Sequence, residues 1–292
     1  MNTDRTPTTS RFLRLPRRIA IAGDWHADTR YAVEAIEHAA KRNADVLVHL
    51  GDFGYRFTDA YLDALDAALA EFELVLGFVD GNHEAFDTLL ARPVAADGLR
   101  YLRDRIVHLP RGFRWSWGST TCLAMGGAYS IDRFLRIEGT SWWPQETIDI
   151  AEMDAAMVGG LADVMFCHDC PAGIPVPGMQ RDRYGFPPQE LAASEANRQR
   201  LREIVDHVQP ARLWHGHFHH RHQALLQGAG YRTVIDGLGR NHDPIDNDMV
   251  VVNLADLGRH RWSARGRLAE ASAPGLPARE SLPEGALPSS RA

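Results

Sequence analysis

The sequence predicts an α/β fold, a sheet core flanked by helices. Two observations predict it. Short apolar runs alternate with stretches of helical period from residue 19 onward, and polar residues cluster where the apolar runs end. Five such ends carry Asp, Asn or His, and α/β folds bind ligands outside the carboxyl ends of their strands.

In order along the chain, residues 19–22 read as a strand ending in Gly23-Asp24, and residues 31–41 as the helix that follows. Residues 46–50 form the next strand, ending in Gly51-Asp52. A helix over 58–72 places Tyr61, Leu62, Leu65 and Leu69 on one face. A third strand, 74–79, runs into Asp80-Gly81-Asn82-His83, and this β-α-β-α-β start implies right-handed crossovers. Residues 120–125 read as a strand before Gly126-Gly127, 146–157 as a helix, 164–167 as a strand ending at His168-Asp169, and 188–208 as a long helix. Residues 212–214 lead into His215-Gly216-His217-Phe218-His219. Residues 233–235 and 249–254 are β-rich, with a Gly/Asn/Asp/Pro loop between them.

Composition limits the class. With 45% hydrophobic and 24% charged residues, the 292-residue chain has material for a sizeable core. A net charge of -6 argues against a grip on long nucleic acid. Three cysteines, Cys122, Cys167 and Cys170, do not make a disulfide framework and fit a reducing compartment. No apolar run is long enough for a membrane span or signal peptide, so the expectation is a soluble, cytoplasmic protein. Residues 1–12 read as a flexible arm, 13–262 as the folded domain, and 263–292, rich in Ala, Gly, Pro, Ser and Glu, as a disordered tail.

The chemistry lies in five segments: Gly23-Asp24-Trp25-His26, Gly51-Asp52, Gly81-Asn82-His83, His168-Asp169 and Gly216-His217-Phe218-His219. Asp24 and His26 flank one residue, as do His217 and His219. In an extended segment residues two apart point the same way, so each pair can reach one point. The adjacent glycines permit close backbone approach. A mixed Asp/His/Asn set suits manganese, iron or zinc better than magnesium, with manganese favoured. Two ions about 4 Å apart need one shared carboxylate, and Asp52 is the choice. His49, inside an apolar run, reads as core. His215, before the glycine, reads as a neighbour supporting the ligands, and Trp25 as a pocket wall.

The pattern Asp24-x-His26, Gly51-Asp52, Gly81-Asn82-His83-Glu84, a lone His168 and Gly216-His217-x-His219 resembles the calcineurin-like metallophosphoesterase superfamily. The resemblance implies a four-layer α-β-β-α sandwich of two mixed sheets, with residues 230–255 completing the second sheet. It also implies a dinuclear metal-dependent phosphoesterase, acting on a phosphate mono- or diester as a phosphatase or phosphodiesterase. Asp24, His26 and His219 would hold one ion, Asn82, His168 and His217 the other, and Asp52 would bridge them. A hydroxide shared by the ions would attack phosphorus, with His83 contacting the phosphate or acting as general acid. The substrate would be a small molecule or a phosphoprotein. A nuclease with the same metals would need a basic groove, which the net charge does not favour. A non-catalytic binding module would show gaps in the ligand set, and all seven positions are filled.

Between Gly126 and Trp143 lies an unusual insert with Gly-Gly-x-Tyr-Ser and Trp-Trp-Pro stretches. Its Arg133 and Arg136 are candidates for a phosphate clamp, and Tyr129 for stacking on substrate. The aromatics have a plainer use, packing the loop onto the core. Residues 171–188, with Arg181, Arg183 and Tyr184, read as a second loop over the site.

Overall fold

Alternation along the strands sets the layers. The computed structural model describes residues 10–179 and 185–257. Strand β1 (Arg18–Ala22) turns Ile19 and Ile21 to one side and Ala20 and Ala22 to the other. The chain continues through α1 (Thr29–Lys41), β2 (Val46–His49), α2 (Asp59–Glu71), β3 (Leu76–Phe78), α3 (Phe86–Leu90), β4 (Arg100–Arg103) and β5 (Ile106–His108). Then come β6 (Arg114–Trp117), β7 (Thr120–Met125), α4 (Ile150–Val158), β8 (Val164–Cys167), α5 (Pro188–Val208) and β9 (Arg212–His215). Last are β10 (His222–Gln227), β11 (Arg232–Gly237), α6 (Ile245–Asp248), β12 (Met249–Asn253) and α7 (Leu254–Leu257).

The strands form two mixed six-stranded sheets, ordered β12-β1-β2-β3-β5-β4 and β10-β11-β9-β8-β7-β6. Three apolar clusters separate four layers. Ala20, Ala22 and Leu47 meet Ile36, Leu62 and Leu65 of α1 and α2. Ile19, Ile21 and Val48 meet Ala124, Phe166 and Trp214 of the other sheet. Leu123, Met165 and Leu213 meet Ala156 of α4 and Leu201, Ile204 and Val205 of α5. Small alanines on the outer face of β1 make room for α1. Each large aliphatic in the middle layer contributes about 1.5–3 kcal/mol by burial. The structure is thus the sandwich that the resemblance implies.

Several expectations change. Strand β12 does not join the second sheet; it pairs antiparallel with β1 at the edge of the first, and only β10 and β11 complete the second. A strand's own residues do not record which edge it will cover. Phe12, assigned to the arm, is fully buried and its ring packs against Trp115 and Trp117. Arm residues 1–9, loop residues Arg181, Arg183 and Tyr184, and the tail 263–292 lie outside the described residues. Among the described residues, no helix is long and apolar enough to cross a membrane.

Candidate metal centre

The carboxyl ends of β1, β2, β3, β8 and β9 meet at one place, and each delivers one or two of the predicted ligands. Asp24, His26, Asp52 and His219 offer ligand atoms that all lie within 4.8 Å of one another. His219 Nε2 is 3.1 Å from Asp24 Oδ2, and His26 Nε2 is 3.6 Å from Asp52 Oδ2. On the other side of Asp52, His168 Nε2 lies 3.4 Å from Oδ1 and 3.0 Å from Asn82 Oδ1. The His217 ring sits 5.0 Å from that of His168. All seven predicted ligands are therefore gathered around Asp52, in two groups that share it.

The local backbone is not extended, as the spacing argument assumed. His26, Asp52, His217 and His219 all have positive φ, between 48° and 65°. Few non-glycine residues adopt this region, and such strain gathers at functional sites. Tight turns, not pleated strand ends, aim these side chains. Two glycines are required by close approach. A Cβ on Gly81 would lie 2.1 Å from Asp52 Oδ1, and one on Gly216 2.1 Å from Asp24 Oδ1. The carboxylates are held by backbone: His83 N–H donates to Asp52 Oδ1 at 2.9 Å, and His217 N–H donates to Asp24 at 3.1 Å.

The electrostatics fit a cation. Asp24 and Asp52 are buried, and among the described residues no Lys or Arg pairs with either. A buried carboxylate needs a positive partner, and here only imidazoles surround them. Burial alone would raise the Asp52 carboxyl, but His168, His83 and His26 hold it well below the usual range. Burial disfavours charge on His26, yet Asp52 and Asp24 lift its pKa to about 9. A potential that draws a proton onto His26 also draws a metal ion to the same donors. The donor set of two carboxylates, one amide oxygen and four imidazoles suits manganese, iron or zinc. Neighbours orient the rings: His26 Nδ1 meets Asn241 Oδ1 at 2.8 Å, and His168 Nδ1 donates to the Leu50 carbonyl at 2.7 Å.

His83 stands at the rim, its Nε2 3.9 Å from Asp52 Oδ2. Arg136 brings Nη1 to 2.7 Å from His83 Nδ1 and is itself forked onto Asp132 at 2.6 and 2.9 Å. A cavity of about 600 Å³ opens from here, bounded by His83, Arg136 and His219 on the polar side. Ile131, Met179 and Leu191 lie on its apolar side. Of the three proposed substrate contacts, the structure places Arg136 on this wall. Tyr129 instead donates to Glu190 of α5 at 2.5 Å, and Arg133 stacks over Trp142 at 3.6 Å. Both serve to pack the insert, as does buried Trp143 against Phe86.

Other assignments shift too. Trp25 is no pocket wall: it is fully buried against His49 and Phe53, its indole donating to Asp248 at 3.2 Å. Asp169 turns away to accept from Asn197 at 2.8 Å. Cys167 and Cys170 are buried and unpaired. The reading of the sequence missed Tyr55, whose ring meets His83 edge-on and packs tilted against His26. It also missed Asn241, which no local motif announces.

His215 points away from the centre, with Nε2 3.1 Å from His222 Nε2. Burial pushes its pKa down to about 3. His217→Ala and His219→Ala are therefore expected to weaken metal binding by roughly 10²-fold or more, whereas His215→Ala changes it by less than about threefold. Its cost falls on stability instead, about 1–3 kcal/mol. Metal titration and thermal melts of the three variants check this; equal metal loss in all three contradicts it.

The family model for calcineurin-like phosphoesterases matches residues 17–221, more than half of the chain. No curated protein matches the sequence. A solved dimetal phosphatase from Danio rerio is 11% identical, with a TM-score of 0.50 over 82% of this chain and 93% of that one. Another solved structure is 13% identical, with a TM-score of 0.52 over 83% of this chain and 97% of that one. TT1561 of Thermus thermophilus is also 13% identical, with a TM-score of 0.46 over 82% of this chain and 99% of that one. At these identities the first two likenesses speak to the fold alone.

Proposed function

Because the chain belongs to the calcineurin-like phosphoesterase family, we propose that it is a dinuclear metal-dependent hydrolase of phosphate mono- or diesters. The observation that carries this is the convergence of Asp24, His26, Asp52 and His219 within 4.8 Å, with Asn82 and His168 on the far side of Asp52. Asp24, His26 and His219 would hold one ion and Asn82, His168 and His217 the other, with Asp52 shared and manganese the favoured metal. When bound, such a pair supplies an activated water and neutralises phosphate charge.

The chain's own groups complete the site. Arg136 and His83 line the cavity beside the centre, where the guanidinium, held by Asp132, sets a positive charge beside a phosphate. The apolar lining residues Ile131, Met179 and Leu191 suit the organic part of an ester. A net charge of -6 does not favour long nucleic acid as substrate.

A panel of chromogenic monoesters and diesters tests the reading. Chelator-stripped protein is expected to be inactive on every member, and added manganese to restore turnover on at least one class. Turnover that survives complete metal removal would contradict it. On the accepted substrate, Arg136→Ala should raise KM by roughly 10-fold, the loss of a cation beside the phosphate, with both ions retained. Arg133→Ala should leave KM within about threefold, because Arg133 is spent on Trp142.

A further inference from the structure

Two residues, one in the insert and one just after it, have no part in the scheme so far. Ser130 ends the Gly-Gly-x-Tyr-Ser stretch and Glu146 follows Trp-Trp-Pro, and they are 2% and 0% exposed. Ser130 N–H donates to Glu146 Oε1 at 3.0 Å, and its hydroxyl donates to Oε2 at 2.7 Å. The same hydroxyl oxygen accepts from Asn82 Nδ2 at 2.9 Å. Asn82 Oδ1 then faces the opposite way, 3.0 Å from His168 Nε2.

With Glu146 ionised, the direction of this chain is forced. An ionised carboxylate only accepts, so the Ser130 proton must go to Glu146. The Ser130 oxygen is then left with lone pairs, which only the NH₂ end of Asn82 can use. A carboxamide has nearly the same shape when turned by 180°, so sterics alone cannot choose between its ends. Turned over, Asn82 would present two hydrogens to a cation instead of an oxygen.

We propose that Glu146 and Ser130 are positioning residues that lock the Asn82 carboxamide with its oxygen toward the metal centre. The proposal rests on the metal-centre reading above. The fold braces both ends of the relay against the strand end that carries Asn82. Arg111 donates to Asp80 at 2.6 and 2.8 Å, and to the backbone carbonyls of Gln145 and Thr147 at 2.7 Å each. The Gly127 N–H donates to the Asp80 carbonyl at 2.8 Å. Asp80 thus ties the Glu146 turn and the Ser130 loop to a point two residues before Asn82. The insert and the turn that follows it thereby share one use.

The test is calorimetric titration of metal-stripped protein with Mn²⁺ at pH 8, since burial pushes the Glu146 carboxyl up to about 7. Wild type should take up two ions. Ser130→Ala should weaken one by roughly 10–100-fold and leave the other within about threefold. Glu146→Gln, which keeps the hydroxyl but no longer dictates its direction, should act in the same sense by less. In an Asn82→Asp background either oxygen serves, so adding Ser130→Ala should cost no more than about threefold. Unchanged binding in Ser130→Ala, equal loss of both ions, or the same loss in the Asn82→Asp background would each overturn the relay. A second readout needs no metal. In stripped, ¹⁵N-labelled protein the Asn82 side-chain amide should show an exchange-protected proton that Ser130→Ala removes, and its absence in wild type would overturn the relay by itself. Uptake of fewer than two ions by wild type, with that proton present, would instead overturn the metal reading.

Discussion

Replacing Asp52 with asparagine is expected to strip both ions at once. Asp52 faces both donor groups, with Oδ2 3.6 Å from His26 and Oδ1 3.4 Å from His168. Asparagine is a mild change for the backbone. It tolerates the φ of 53° better than most residues, and its Oδ1 can still accept from the His83 N–H. What it loses is one oxygen and the negative charge that two cations would share. Affinity for each ion should fall by at least about 10²-fold, more than removal of an outer neighbour costs, and turnover should fall with it. Metal counted after dialysis decides the matter. Two ions retained at wild-type affinity would contradict a shared role for Asp52.

His83→Ala should behave in the opposite way, keeping both ions and the fold while kcat falls by roughly 10²–10³, the cost of losing a donor to the phosphate oxygens. The structure narrows how. Arg136 can only donate, and its two terminal nitrogens sit 2.7 Å from His83 Nδ1 and 3.2 Å from Nε2, so a guanidinium faces both ring nitrogens and disfavours a second proton on the ring. Burial lowers the His83 pKa and Arg136 lowers it further, against the pull of Asp52. A neutral ring suits a hydrogen-bond donor to phosphate better than a proton donor to the leaving group. The ratio of wild-type to variant kcat should therefore be flat across a series of leaving groups. A ratio that grows from phenyl to alkyl esters would restore general acid catalysis, and loss of a metal would make His83 a ligand.

How much of this the sequence discloses depends on the kind of signal. Strands β7 and β8 and helix α5 stand where alternation and helical period place them. Strands β4, β5 and β6 do not announce themselves: they have three or four residues each, and Arg100, Arg103, Arg114 and Ser116 interrupt the apolar pattern. Helix α4 starts at Ile150, not 146, and a readable signal marks it, since Asp149 and Glu152 form a capping box. Six of the seven candidate metal ligands were legible because each sits beside a glycine or one residue from another candidate, and His168 because it ends an apolar run and fits the family pattern. The turns that aim them were not, because a left-handed His or Asp leaves no mark in the sequence. Nor were Ser130 and Glu146, because Ser130 meets Asn82 across 48 positions of the chain and Glu146 across 16.

The most direct test of the account is anomalous diffraction at the manganese edge from crystals soaked in Mn²⁺. The account predicts two peaks about 4 Å apart, with Asp52 between them, one beside Asp24, His26 and His219 and the other beside Asn82, His168 and His217. A single peak, or none touching Asp52, would contradict it.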